Sequence, residues 1–275
     1  MAVTMADISH LRKMSGAGMM DCKNALEEAG GDFDKAMEII RKKGQAIAAK
    51  RSDRDASEGC VLATEKEDFA AIVALKCETD FVAKNEQFVA LTRDILDIAM
   101  DRKPASLEDL LASPMADGRP VQAHITDRIG VTGEKMELGF YEFINGASTI
   151  SYIHPGNKLA TIVAFNQPGV AYQVARDVAM QVAAMNPVAV RPEEVEQKVI
   201  DQEMDIARDK ARQAGKPENL LDRIAEGAVQ KFYKDNTLLQ QEFVKDAKLT
   251  IEQYLKQQNK DLTVVAIKRV TLNVD

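Results

Sequence analysis

An unbroken apolar run, Phe69-Ala70-Ala71-Ile72-Val73-Ala74-Leu75, precedes Phe88, Leu91, Ile95 and Ile98 at helical spacing, and together they predict a buried strand leading into a long helix. Thr79-Asp80-Phe81 falls at the corner between them. Thr79 or Asp80 can cap the helix by accepting hydrogen bonds from the free N–H groups of its first turn, and a carboxylate there also suits the positive end of the helix dipole. A large aromatic in that opening turn is placed to point outward. These residues leave two readings open: a capped corner with Phe81 as a staple or core residue, or an acidic–aromatic wedge that fills a partner's pocket.

Three short apolar stripes precede this corner. Ile8, Leu11 and Met14 mark a helix that stops at Ser15-Gly16-Ala17-Gly18, and Cys22, Ala25, Leu26 and Ala29 mark a second that ends at Gly30-Gly31. Asp32 caps a third, carrying Phe33, Ala36, Met37 and Ile40, which Gly44 is expected to end. Gly16-Ala17-Gly18 invites a phosphate-loop reading, but it lacks both a Gly-Lys-Ser/Thr ending and a preceding strand. Met19 and Met20 cannot both face one small core, so at least one is expected on the surface, where a flexible thioether suits packing on another protein's helix.

A strand–strand–helix pattern then occurs twice. The first copy has strands between Glu58 and Leu75 around Lys66-Glu67-Asp68, with a helix to about Met100. In the second, Ser148–Ile153 and Lys158–Phe165 surround His154-Pro155-Gly156-Asn157, with a helix from about Val170 to Met185. Laying Arg93-Asp94 on Arg176-Asp177 brings Ile95 onto Val178 and Pro104 onto Pro187, which implies two related subdomains. Between the copies, Leu107–Leu111 and Val121–Ile129 read as helical and Lys135–Asn145 as a strand. Pro192-Glu193-Glu194 opens a charged helix with Val195, Val199 and Ile206 on one face; Ala214-Gly215-Lys216-Pro217 breaks it, and Leu221, Ile224, Ala225, Ala228 and Phe232 stripe a return helix. The narrow seam predicts a projecting coiled-coil hairpin. A helix at Leu249–Gln257 and a strand from Val264 to Leu272 complete an α+β chain.

Composition removes several classes of function. The formal charge of −7 argues against nucleic acid, although Arg41, Lys42, Lys43, Lys50, Arg51 and Arg54 form a local basic run. The three cysteines are odd in number and lack metal-ligand spacing, which fits reduced thiols in the cytoplasm. No segment approaches the ~20 apolar residues of a membrane helix, and no leader pattern opens the chain. His10, His124 and His154 lie in separate segments, and no nucleophile elbow, Walker loop or dinucleotide fingerprint occurs. Neither an enzyme's covalent apparatus nor a cofactor or metal site is visible. A protein-binding module or, less favoured, an acidic nucleic-acid-binding factor remains.

Leu11-Arg12, Ser15-Gly16-Ala17-Gly18-Met19-Met20-Asp21-Cys22-Lys23 and Thr79-Asp80-Phe81-Val82-Ala83-Lys84 together resemble bacterial elongation factor Ts. Ser151-Tyr152-Ile153-His154 with Gly156, Gly215-Lys216-Pro217, Glu226-Gly227 and Phe243-Val244-Lys245-Asp246 extend the resemblance over nearly the whole chain. It implies a guanine nucleotide exchange factor for elongation factor Tu, without direct nucleotide binding and with self-association left open. It also implies a ubiquitin-associated-like three-helix module and basic linker at 1–54, core subdomains at 55–146 and at 147–192 with 235–275, and a coiled-coil insertion at 193–234. Thr79, Asp80, Phe81 and Val82 would then form a wedge that dislocates the partner's Mg²⁺. Leu11, Met19, Met20, Lys23, His154 and Gly156 would supply further contacts. The chain departs from the family where Ile129-Gly130 and Gly133-Glu134 split its Ile-Gly-Glu-Asn segment, where Ala228 replaces an Arg, and in stopping at Asp275 without the C-terminal module of some members.

Overall fold

A computed structural model describes residues 3–273. Helices α1 (Met5–Ser15), α2 (Met19–Glu28) and α3 (Phe33–Lys50) come first. Strands β1 (Glu58–Lys66) and β2 (Phe69–Cys77) precede α4 (Asp80–Ala83), α5 (Glu86–Arg102), α6 (Leu107–Ala112) and α7 (Val121–Thr132). Next come β3 (Met136–Asn145), β4 (Ser148–Ile153), β5 (Leu159–Phe165) and α8 (Tyr172–Met185). The remainder is α9 (Gln197–Gln213), α10 (Leu221–Asn236), β6 (Glu242–Phe243), β7 (Asp246–Thr250), α11 (Ile251–Gln258) and β8 (Val264–Thr271). This mixture of helix and strand is α+β. The strands form sheets in the orders β1-β2-β3, β4-β5-β8 and β6-β7. The chain divides into one compact unit of 1–62, 73–141 and 272–275 and a second of 63–72 and 142–271.

In the first unit, Ile8, Leu11, Cys22, Ala25, Leu26 and Ala36 close a small core shared by α1, α2 and α3. Thr4 and Asp7 form a capping box at the start of α1, and Gly16 ends it in the left-handed region at φ 70°. Two expectations fail here. Met14 is exposed instead of completing the first stripe. Gly44 does not end α3, which runs on to Lys50, because Gly44 lies inside a helix crossing: α7 passes so close that a Cβ on Gly130 would stand 2.7 Å from the Gly44 Cα. A residue read as a terminator is there to remove a side chain from the contact.

The helix expected to run unbroken from the corner to Met100 is also two helices, because Asn85 interrupts it and caps α5 through Oδ1, which accepts from the N–H groups of Gln87 and Phe88 at 3.0 and 3.3 Å. α5 ends at Lys103 in the left-handed region (φ 47°), directly before Pro104.

In the second unit, antiparallel pairing sets Ile150 opposite Val163 and Val163 opposite Ile267. β5 is buried along its whole length, and α8 covers it through Val174, Val178 and Val182. α8 ends as α5 does, with Asn186 at φ 43° before Pro187. Thus α5 and α8 both stop at a left-handed residue followed by the proline that forbids continuation.

The charged hairpin is present as α9 packed on α10, but its start and seam differ from expectation. Pro192–Glu194 is only a single 3-10 turn, and α9 begins at Gln197. Ala207, Ala211, Leu221, Ala225 and Val229 are buried between the helices, whereas Ile206 is 45% exposed. Leu221 and Ala225 lie in the seam as expected, while on α9 Ala207 and Ala211 take the place of Ile206 and permit close approach. β6 was not expected, and β7 occupies Leu249, delaying α11 to Ile251 after its Thr250 cap.

Candidate partner-binding surface

The corner after β2 is built from backbone chemistry outward. Thr79 is the N-cap of α4, its hydroxyl oxygen accepting from the Val82 N–H at a long 3.4 Å. The same residue donates twice to one carboxylate: its backbone N–H reaches Glu134 Oε2 at 3.0 Å and its hydroxyl reaches Glu134 Oε1 at 2.6 Å. Next to it, Glu78 Oε1 accepts from the Lys135 N–H at 2.7 Å, and Glu78 Oε2 pairs with Arg51 at 3.2 Å. Burial and the adjacent Glu134 charge push the Cys77 thiol up to about 12, and its Sγ donates to the Thr79 carbonyl at 3.2 Å. Cys77 is fully buried and serves as a packing group under the corner.

This base holds α4 with Phe81 outward. Phe81 is 83% exposed, Asp80 is half-exposed and ion-paired to Lys84 at 2.6 Å, Val82 is half-buried, and Ala83 is buried against the protein. A bare aromatic ring on a single helical turn costs hydrophobic free energy in isolation. Of the two readings left open at the sequence level, the staple or core role for Phe81 is not the one observed.

On the three-helix module, Met19 and Met20 are 41% and 65% exposed, both on the opening turn of α2. Lys23 is exposed and pairs with Glu27 at 3.7 Å one turn on. Leu11 behaves differently: it is fully buried in the module's own core, so it supports the surface without presenting its side chain. Arg128 lies between this region and the corner. A Cβ on Gly16 would lie 3.8 Å from its Nη1, and Arg128 donates to Gln87 Oε1 at 2.6 Å and Asn85 Oδ1 at 2.8 Å. Burial lowers the pKa of this guanidinium.

His154 and Gly156 belong to the second unit, on the exposed β4–β5 turn. Gly156 has φ 95° and Asn157 φ 55°, so the turn uses two consecutive left-handed residues. Tyr152 Oη lies 3.0 Å from His154 Nδ1, which gives the exposed imidazole a local hydrogen-bond partner. Sequence reasoning missed Glu134, Asn85 and Arg128. For Asn85 the signal was available, because an Asn three residues before the first buried helical position is a capping pattern.

Among the described residues, no group of three or more His, Cys, Asp and Glu is placed to hold a metal ion. Exposed aromatic and thioether side chains on braced turns are anchors of the kind used in protein–protein recognition. The family model described as elongation factor TS matches residues 78–273. Elongation factor Ts of Porphyromonas gingivalis is 74% identical over 275 residues, all of both chains. Elongation factor Ts of Azobacteroides pseudotrichonymphae is 57% identical, again over all of both chains. That of Bacteroides fragilis is 47% identical over 332 aligned positions with both chains fully covered. The chain belongs to the elongation factor Ts family. Membership makes it a translation elongation factor with a nucleotide-exchange role in protein biosynthesis. No helix among the described residues is long and apolar enough to cross a membrane.

Proposed function

We propose that this protein binds elongation factor Tu in the cytoplasm and drives GDP from it by inserting Asp80 and Phe81 where the GTPase supports its Mg²⁺ and phosphates. The observation that carries this reading is the pairing of a nearly bare Phe81 ring with a doubly anchored helix base at Thr79. An exchange factor makes and breaks no covalent bond. It must bind the nucleotide-free GTPase more tightly than the nucleotide-bound form, and reciprocity then weakens nucleotide binding by the same factor. Because Mg²⁺ bridges phosphate oxygens to protein ligands, moving its supports loosens the nucleotide. The exchange factor needs no nucleotide site or cofactor of its own.

In this reading Thr79 and Val82 hold the wedge, and Met19, Met20 and Lys23 dock the three-helix module on another part of the GTPase. Leu11 acts from beneath them, and the His154–Gly156 turn makes a separate contact. The α9–α10 hairpin is an arm that serves partner binding or self-association, and the modules follow the boundaries given by the family resemblance. The nucleic-acid alternative is weakened by the basic run, since Lys42 pairs with Glu38, Lys43 with Asp21 and Arg51 with Glu78. Release of a fluorescent GDP analogue from elongation factor Tu tests the proposal directly.

A further inference from the structure

We infer that Glu134 is a positioning residue for nucleotide exchange: its carboxylate grips Thr79 and thereby fixes the direction in which Phe81 projects. The inference rests on the wedge reading above. α4 has four residues, a single turn, and helices this short do not hold themselves together in water. Its own cap is weak, with 3.4 Å from the Val82 N–H to Thr79 Oγ1. What holds the turn is the two-point contact at 3.0 and 2.6 Å, in which an anion accepts from both donors of Thr79. The Thr79 hydroxyl gives its proton to Glu134 and keeps its lone pairs for the cap.

Glu134 is itself held from α7. Gly133 ends that helix at φ 74°, its N–H returning to the Ile129 carbonyl, and the Glu134 N–H donates to Thr132 Oγ1 at 3.3 Å. The adjacent pair, Glu78 accepting from the Lys135 N–H, makes a second tie between the same two segments. Since α7 also packs on α3 through Gly130 and Gly44, one helix is joined both to the three-helix module and to the base of the wedge. The three-helix module and the base of the wedge are therefore anchored on the same helix.

The test uses the full chain in titrations of GDP release from elongation factor Tu, which separate the rate at saturation from the half-saturating concentration. Glu134→Gln keeps the shape but loses the charge and one acceptor; the expected result is a saturating rate lowered about tenfold, with the half-saturating concentration moved less than about threefold because the Met19–Met20 surface is intact. Thr79→Val should show the same loss, the double variant should be no slower than the slower single one, and Thr79→Ser, which keeps both donors, should retain the rate. A Glu134→Gln rate equal to the parent's, losses that multiply in the double variant, or a defect confined to half-saturation would overturn the inference. If Glu134→Gln does not fold, Thr79→Val carries the same expectation. Failure of the parent chain to accelerate release would instead remove the wedge reading, and the role of Glu134 with it.

Discussion

Gly130 meets the backbone of Gly44 with no space for a side chain, a Cβ at 130 falling 2.7 Å from the Gly44 Cα, whereas a Cβ at 44 would stand 3.4 Å from the Gly130 Cα. The contact is asymmetric, and the two positions should respond differently. Gly130→Ala is expected to cost about 1–3 kcal/mol through overpacking and to lower the melting temperature. Gly44→Ala should cost less because the clash is milder, the preference of a helix for Ala over Gly, about 1 kcal/mol, acting at both positions. Thermal unfolding of the two variants side by side checks the order, and equal stabilities would contradict it.

Truncating the two exposed anchors should separate rate from affinity. Phe81→Ala is expected to change stability by less than about 0.5 kcal/mol, the usual surface range, where a buried Phe would cost about 3–5 kcal/mol. Its saturating exchange rate should fall on the order of tenfold or more, as for an interface hot spot. Met20→Ala should raise the half-saturating concentration several-fold and lower the saturating rate less than Phe81→Ala does. Titrations of GDP release and melts on the same preparations supply both numbers.

Asp177 gives the fold a defined response to acid. Burial on its own would raise this carboxyl, but hydrogen bonds from Lys245 at 2.6 Å, Tyr254 at 3.0 Å and Gln173 at 2.7 Å outweigh it and hold the pKa below the ordinary carboxylate value. A depressed folded-state pKa contributes stability that is fully present above the unfolded value of about 3.9 and is lost as pH falls through the folded one. Asp177→Asn should thus be destabilised at neutral pH, with the gap to the parent closing below about pH 4. Burial and the same hydrogen bond push the Tyr254 hydroxyl up to about 12, so its contribution should survive to about pH 10 and disappear as pH rises toward 12. Melting temperature against pH for parent and variant tests both limbs.

The hairpin should be removable if the cut respects its base. Val195 is buried, Glu194 Oε2 accepts from the Val190 N–H at 3.1 Å, and Leu238 and Leu239 return N–H groups to Ala189 and Val190. Replacing 197–234 by a short Gly/Ser linker keeps all of these while deleting a seam that the two helices satisfy between themselves. The remaining chain should melt cooperatively with its midpoint little changed, and a broad or absent transition would show that the hairpin is an integrated layer.

What was legible in the sequence was local. The strand–corner–helix at Thr79 could be read because one apolar run, one capping residue and one helical stripe are contiguous, and the correspondence of Pro104 with Pro187 because the helices before them carry matching Arg-Asp pairs. What escaped was set by contacts remote along the chain. Glu134 lies 55 residues from Thr79, and no periodicity in either segment announces the other. Gly44 was misread for the same reason: its partner Gly130 sits on another helix, and glycine's commonest local meaning is a stop. On α9 the hairpin seam shifted because packing selected Ala207 and Ala211, whose hydrophobicity is too small to stand out beside Ile206. Leu11 and Phe81 show both sides of this limit. Both stand in family-like motifs, yet the first is fully buried and the second nearly bare, a difference that only the packing of α1 and the brace under α4 decide.

The most direct test of the central claim is stopped-flow release of a fluorescent GDP analogue from elongation factor Tu, with unlabelled nucleotide in excess and increasing amounts of this protein. Release should accelerate and saturate with protein concentration, added Mg²⁺ should oppose the acceleration, and Phe81→Ala should largely abolish it. A release rate unaffected by excess protein, or one that Phe81→Ala leaves intact, would contradict the account.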